Sequence, residues 1–148
     1  MTQRSEGVVG IVRTRKGYLL LPNGKENDGK TERHLAHRTF SPVSGLENLG
    51  GKVEPGQTRI DALKAESWQE GWISLYDHQV NDAGFGVIVE QGGRGTFDVT
   101  VYFLELYWWQ IAILKIFKRA KEIDPLNLDS TEIRMRDLVI LQLAEDKI

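Results

Sequence analysis

The stretch Gly50–Ile73 constrains the fold more than any other part of this chain. A strand-like segment, Leu46–Val53, contains the glycine pair Gly50-Gly51, and a Pro-Gly turn follows it. The next run, Thr58–Glu70, has a helical pattern: Thr58 is a suitable N-cap and Asp61 places a negative charge in the first turn. We expect Gly71 to end this helix. The stretch therefore predicts a strand–turn–helix unit with acidic residues near the end of the helix.

The rest of the chain predicts an α+β domain with mixed or antiparallel strands. Two hairpins are predicted, from the segments Gly7–Val12 with Tyr18–Leu21 and Gly84–Val89 with Thr96–Tyr107. A long polar loop covers about 22–45, and a short helical piece is expected within it at Thr31–Arg38. The segment Trp108–Lys121 has a helical stripe but stays ambiguous, and a last helix is expected after a cap at Asp129 or Ser130. The length of 148 residues suggests one domain, 1–148.

Composition excludes several classes of function. The net charge of -2 gives no support to binding of nucleic acid or an anionic membrane. The chain has no cysteine, which excludes disulfides, thiolate metal sites and cysteine nucleophiles. It shows no signal-peptide pattern and no apolar run long enough for a membrane span. We expect a soluble, cytoplasmic protein.

Two glutamates of the predicted helix point to a divalent cation. At about 100° per residue, Ile60, Leu63 and Ser67 form the face to be buried, and Glu66 and Glu70 lie together along its edge. Like charges one turn apart repel, so a cation is expected to compensate them. Carboxylate oxygens suit Mg²⁺ or Mn²⁺, which also take phosphate oxygens as ligands. A solvated acidic face is the alternative interpretation of such a pair.

The same residues carry a resemblance to a known family. The run Gly50-Gly51-Lys52-Val53-Glu54-Pro55-Gly56-Gln57, with Glu66 and Glu70, resembles the Nudix box of the Nudix (MutT-like) hydrolases. The first half matches well. The second half departs from the pattern: Gln57 and Gln69 replace glutamates, Ala65 replaces an arginine, Ser67 replaces an aliphatic residue, and Gly71 stands one place early.

This resemblance implies a Nudix-like α/β/α sandwich with a mixed sheet, and divalent-metal-dependent cleavage of a diphosphate linkage in a nucleotide or nucleoside diphosphate derivative. Carried over by position, it implies Glu66, Gln69, Glu70 and the Gly50 carbonyl as metal ligands, with the first three as the catalytic residues. Lys52 is a further substrate-binding candidate. The carboxylates considered for the catalytic base are Asp98, Glu105, Asp129 and Glu132. Base or sugar contacts are expected from the 22–45 loop with Phe40 and from Trp108 and Trp109, although core packing is the simpler role for each aromatic residue.

Four further interpretations stay open. The lost box residues favour a Nudix-fold nucleotide-binding or regulatory module with impaired catalysis. The segment Gly24–Thr31 matches the P-loop pattern of phosphate-binding proteins, but Glu26 and Asp28 would place negative charge inside the cradle. The apolar segment Trp108–Phe117 suggests a homodimer, which is compatible with either Nudix alternative. His34 and His37 could hold a metal, but their basic neighbours favour a solvated loop.

Overall fold

A computed structural model describes residues 4–22, 27–34, 39–128 and 132–147. The strands are Arg4–Thr14 (β1), Gly17–Leu20 (β2), Thr31–His34 (β3), Ser41–Pro42 (β4), Leu49–Lys52 (β5), Val80–Gln91 (β6), Gly95–Leu104 (β7) and Lys121–Ile123 (β8). The helices are Arg59–Gly71 (α1), Trp108–Phe117 (α2) and Met135–Lys147 (α3). Both predicted hairpins are confirmed as β1–β2 and β6–β7.

The described strands form one mixed sheet in the order β4-β3-β6-β7-β1-β2-β8, and β5 pairs separately with β1. The β1 and β7 strands are parallel, and every other pair is antiparallel. Strand β5 places Gly50 opposite Val9 and Gly51 opposite Val8. The glycine pair therefore lies beside the middle of β1.

Helices cover both faces of the sheet, as the α/β/α expectation requires. Val8 and Val12 of β1 pack in one core with Leu63 of α1 and Leu114 of α2. The intervening residues of β1 pack in a second core that includes α3. Successive strand residues point to opposite faces, so β1 contributes to both cores.

The predicted start of α1 is confirmed, but its predicted end is wrong by one residue. The Asp61 amide donates to Thr58 Oγ1 at 3.1 Å, which caps the helix. Gly71 is still helical, and Trp72 takes the left-handed conformation with φ 59°. A Cβ on Gly71 would lie 2.8 Å from Leu114 Cδ2, so this glycine permits close packing of α2 rather than a turn.

The helical piece expected at Thr31–Arg38 is wrong in its described part, because Thr31–His34 forms β3, paired with β6. Its remainder, residues 35–38, lies outside the described residues, and so does the expected cap at Asp129 or Ser130. The ambiguous segment Trp108–Lys121 forms α2, and β8 begins at Lys121. No helix among the described residues is long and apolar enough to cross a membrane.

Candidate active site

Helix α1 crosses β5 so that Glu70 meets the first glycine of the pair. The Gly50 amide donates a hydrogen bond to Glu70 Oε1 at 3.0 Å. A Cβ on Gly50 would overlap the backbone carbonyl of Val8. Glycine therefore allows β5 to lie this close to β1, and the Gly50 amide holds the carboxylate of Glu70.

Glu66 lies over the second glycine. A Cβ on Gly51 would lie 2.5 Å from Glu66 Oε1, well inside van der Waals contact. No hydrogen bond holds this carboxylate among the described residues, so its position depends on the space that Gly51 leaves open. The two glycines thus create the room in which the two glutamates of α1 lie.

A third carboxylate, Glu47, lies beside them and was missed by the sequence analysis. It is buried, and Arg134 Nη1 donates to its Oε2 at 2.9 Å. Arg134 also makes a two-point contact with buried Glu32, at 2.9 and 2.7 Å. Glu47 is only three residues before the glycine pair, and that proximity was the available signal. Its partner Arg134 is 87 residues away, and no sequence signal pointed to that arginine.

The three glutamates Glu47, Glu66 and Glu70 line two adjoining cavities of about 330 and 390 Å³. The first cavity holds the glycine pair and Lys52. Its other charged lining residues are Lys30, Glu32, Arg94, Arg134 and Arg136. The second holds Gln69 and Lys118. Gln69 lines only the second cavity, and Gly50 and Lys52 line only the first.

Burial sets the electrostatics of the pair on α1. It raises the pKa of Glu70 to about 8, against the opposing effect of the Gly50 amide, and Glu47 and Glu66 add to the rise. Burial also raises the pKa of Glu66, with a smaller contribution from the charge of Glu54. Both carboxylates therefore lie where a cation would stabilise their charged form.

The donor atoms fit a hard divalent cation in kind, because Glu66 and Glu70 offer oxygens at a strand end rich in backbone carbonyls. Among the described residues, no group of three or more histidine, aspartate or glutamate side chains is arranged to hold a metal. A metal at this site would therefore need backbone, water or substrate oxygens beside the two glutamates, which is the usual habit of Mg²⁺.

Of the carboxylates considered as bases, the three that the structure describes line neither cavity. Asp98 pairs with Arg4 at 2.6 Å, and Glu105 and Glu132 are exposed elsewhere. Asp129 lies outside the described residues. None of these three described carboxylates therefore belongs to the site.

The aromatic residues expected to contact a base or sugar are also absent from the described lining of both cavities. Trp108 is 81% exposed and lines a separate shallow cavity with Arg15 and Lys16. Phe40 stacks against Arg33, whose Cζ atom lies 5.0 Å from the centre of the Phe40 ring. In the described chain, the one aromatic side chain of the first cavity is Phe97.

The P-loop interpretation of Gly24–Thr31 is wrong in the part that the structure describes. A P-loop leads into a helix at its Lys-Thr pair, whereas Thr31 begins strand β3. Residues 24–26 of the pattern lie outside the described residues. His37 also lies outside the described residues. His34 is described and belongs to β3.

No family model matches the sequence, and no curated protein matches it. Solved structures do match over nearly the full chain. A MutT protein from Methanosarcina mazei Go1 aligns with a TM-score of 0.66 at 14% identity, over 99% of this chain and 96% of that one. The chain has the fold of the Nudix hydrolases. A MutT protein from methicillin-resistant Staphylococcus aureus 252, named as a Nudix hydrolase, aligns over the whole of both chains with a TM-score of 0.62 at 21% identity.

A Nudix hydrolase from Nitrosomonas europaea also aligns, with a TM-score of 0.60 at 13% identity over 98% of this chain and 90% of that one. At such identities the likeness concerns the fold. It confirms the Nudix-like α+β expectation.

Proposed function

We propose that this chain is a Nudix-type hydrolase that cleaves a diphosphate linkage in a nucleotide or nucleoside diphosphate derivative, with Mg²⁺ or Mn²⁺. The observation that carries the proposal is the placement of Glu66 and Glu70 of α1 against the glycine pair of β5. Neither carboxylate forms an ion pair with a described residue, and two partly buried carboxylates this close are costly unless a cation joins them.

Glu66, Glu70 and the Gly50 carbonyl would hold the metal, with the Gln69 amide oxygen as a further donor from the second cavity. When bound, the metal would polarise a phosphoryl oxygen and favour ionisation of water. Lys52 lines the same cavity and would hold a substrate phosphate by its charge. These residues would align the diphosphate against the end of β5.

Glu47 is the proposed general base. Water would form the new bond to phosphorus, the bridging P–O bond would break with its electron pair leaving on the second phosphate, and Glu47 would accept the proton. Burial raises the pKa of Glu47, while the charges of Arg136 and Arg134 oppose the rise. Burial thus makes this carboxylate more basic than an exposed one.

A second candidate function is a Nudix-fold nucleotide-binding module with little turnover, favoured by the replaced box residues. The structure weakens part of that argument. Gln57 accepts a hydrogen bond from the Glu54 amide at 3.0 Å and lines neither cavity. Ala65 cannot supply the box arginine, but Arg136 of α3 lines the first cavity and its charge lowers the pKa of Glu70.

The deciding experiment is hydrolysis of a nucleotide panel with Mg²⁺ or Mn²⁺: nucleoside triphosphates, oxidised nucleotides, dinucleoside polyphosphates, ADP-ribose and nucleotide sugars. We expect turnover of at least one. Glu70→Gln should lower kcat by about a hundredfold or more, because a metal's charge is worth several kcal/mol in the transition state. Glu132→Gln, an exposed change outside both cavities, is the matched control.

Two results separate the candidates. Binding of a nucleotide by calorimetry without turnover of any panel member would favour the binding module. Full activity of Glu70→Gln would reject the assigned site while leaving the activity itself established.

A further inference from the structure

The first cavity has a second end that the proposed chemistry does not use. The strand register places Gly51 opposite Val8, and Val8 opposite Thr100 of β7. The turn before β7 carries Arg94, six residues before Thr100 in the sequence. Strand β7 begins at Gly95, so at about 3.3 Å per residue the turn lies about 17 Å along the strand from Thr100. Arg94 nevertheless lines the same cavity as Glu66 and Glu70.

Lys30 lies at this same end. The Gly92 amide donates to the Thr31 carbonyl at 3.0 Å, which joins the β6–β7 turn to the residue next to Lys30. Lys30 also lines the cavity. Two cationic side chains from separate segments are therefore brought together at the end of the cavity away from β5.

These two cations differ from the other basic groups around them. Arg134 is neutralised by Glu32 and Glu47, and Arg136 contacts Asp137 at 3.1 Å. Lys30 and Arg94 make no ion pair with any described residue. A concave polar surface with unneutralised ammonium and guanidinium groups suits a phosphate or carboxylate ligand.

We propose that Lys30 and Arg94 form a second anion-binding subsite. The subsite binds a phosphate or carboxylate on the part of the ligand that extends away from the diphosphate. Three strands, β1, β7 and β6, lie between β5 with its glycine pair and β3 next to Lys30, so the subsite binds a different group from the diphosphate. This inference rests on the proposed function and narrows its substrate class to diphosphates that carry an additional anionic group.

The charged character of the cavity supports the same substrate class. Phe97 is the one aromatic side chain of its described lining, so stacking of a base has a single platform. Charge recognition then contributes more to selection of the ligand than aromatic contact does. A neutral distal group would leave Lys30 and Arg94 without partners in the complex.

The test is equilibrium binding by calorimetry on the full chain without divalent metal, using two pairs of probes. UDP-glucuronic acid differs from UDP-glucose by one carboxylate, and NADP⁺ differs from NAD⁺ by one phosphate. In at least one pair, the more anionic member should bind about tenfold or more tightly, as expected for charge-assisted hydrogen bonds. The double variant Lys30→Ala/Arg94→Ala should lose that preference.

Two further variants make the result specific. Arg15→Ala/Lys16→Ala removes the same charges from the turn between β1 and β2 and should keep the preference. Lys30→Arg/Arg94→Lys preserves both charges and should retain most of it. The subsite would be overturned by equal binding within both pairs or by binding too weak to measure for every probe. It would also be overturned by a preference that persists in Lys30→Ala/Arg94→Ala.

Failure of the subsite and failure of the proposed function give different results. The binding assay contains no metal and requires no turnover. A wild-type chain that prefers the anionic probes but hydrolyses nothing would keep the subsite and lose the activity. A chain that hydrolyses a panel member but shows no preference for the anionic probes would keep the activity and lose the subsite.

Discussion

At the residue scale, the site depends on the absence of two side chains. Gly50 and Gly51 are adjacent, yet a methyl group at each would meet a different kind of neighbour. At Gly50 it would meet the backbone of β1, which cannot move without disturbing the sheet. At Gly51 it would meet the flexible end of Glu66. Substitution should therefore affect stability at the first position and geometry of the carboxylates at the second.

We predict that Gly51→Ala folds normally but loses activity. Its free energy of unfolding should change by about 1 kcal/mol or less, because Glu66 can swing away. The displaced carboxylate should lower kcat by about tenfold or more. Gly50→Ala is the contrasting variant and should lose about 1–3 kcal/mol of stability through overpacking. Urea unfolding and steady-state kinetics check both; equal stability loss in the two variants would contradict this account.

At the scale of elements, buried charge joins α3 to the sheet. Arg134 precedes α3 and contacts Glu32 of β3 and Glu47 before β5, with all three side chains less than a tenth exposed. Asp137 of α3 accepts hydrogen bonds from the amide and the side chain of Asn48. These contacts fix the segment that carries Glu47 against the glutamates of α1. They thus connect the stability of the fold with the shape of the cavity.

We predict that Arg134→Met is strongly destabilising. Removing one member of a buried charged network leaves its partners without compensation, which costs about 3–5 kcal/mol. Arg33→Met provides a matched control, because Arg33 pairs with Glu90 at a partly exposed site and should cost about 1 kcal/mol or less. Denaturant unfolding measures both. Similar losses in the two variants would show that burial of the Arg134 network is unimportant.

A second contact between elements predicts a dependence of stability on pH. Hydrogen bonds from Lys115 of α2 and from Thr14 of β1 lower the pKa of Glu122 of β8 below its ordinary value of 4.5. A lowered folded-state pKa stabilises the fold at neutral pH, and this stabilisation is lost as the pH falls through that pKa. Glu122→Gln should therefore lose less stability than wild type between pH 6 and about pH 3.

Thermal unfolding across that pH range measures the difference. Lys115→Met removes the other member of the ion pair. It should likewise reduce the dependence of stability on pH. A wild-type profile identical to that of Glu122→Gln would contradict the assigned role of this carboxylate.

At the scale of the whole molecule, α2 leaves an apolar surface uncovered. Of its ten residues only Gln110 and Leu114 are buried, and Trp108 and Phe117 are 81% and 62% exposed. The homodimer suggested by the segment Trp108–Phe117 stays a prediction. Light scattering should give the mass of two chains, and Trp108→Ser/Phe117→Ser should give one. Leu126→Ser, an exposed change elsewhere, should leave the mass unchanged; a monomeric wild type would remove the dimer.

The sequence by itself determined the parts of the fold that local physics specifies. The cap at Thr58, the buried face of α1 with Leu63 and the alternation of the β6–β7 hairpin follow from hydrogen bonding and periodicity within a few residues. The edge position of Glu66 and Glu70 follows from the same periodicity. The resemblance of the glycine pair and its helix to the Nudix box then predicted the fold that the solved structures confirm.

Only the tertiary structure decided what surrounds those glutamates. Thr31–His34 forms a strand because β6 supplies its partners, and Trp72 rather than Gly71 turns the chain because Leu114 packs against the glycine. Glu47 joins the site, and Lys30 meets the turn of Arg94, through contacts between residues far apart in sequence. No local pattern encodes such contacts, because their energy depends on burial and charge that exist only once the chain has folded.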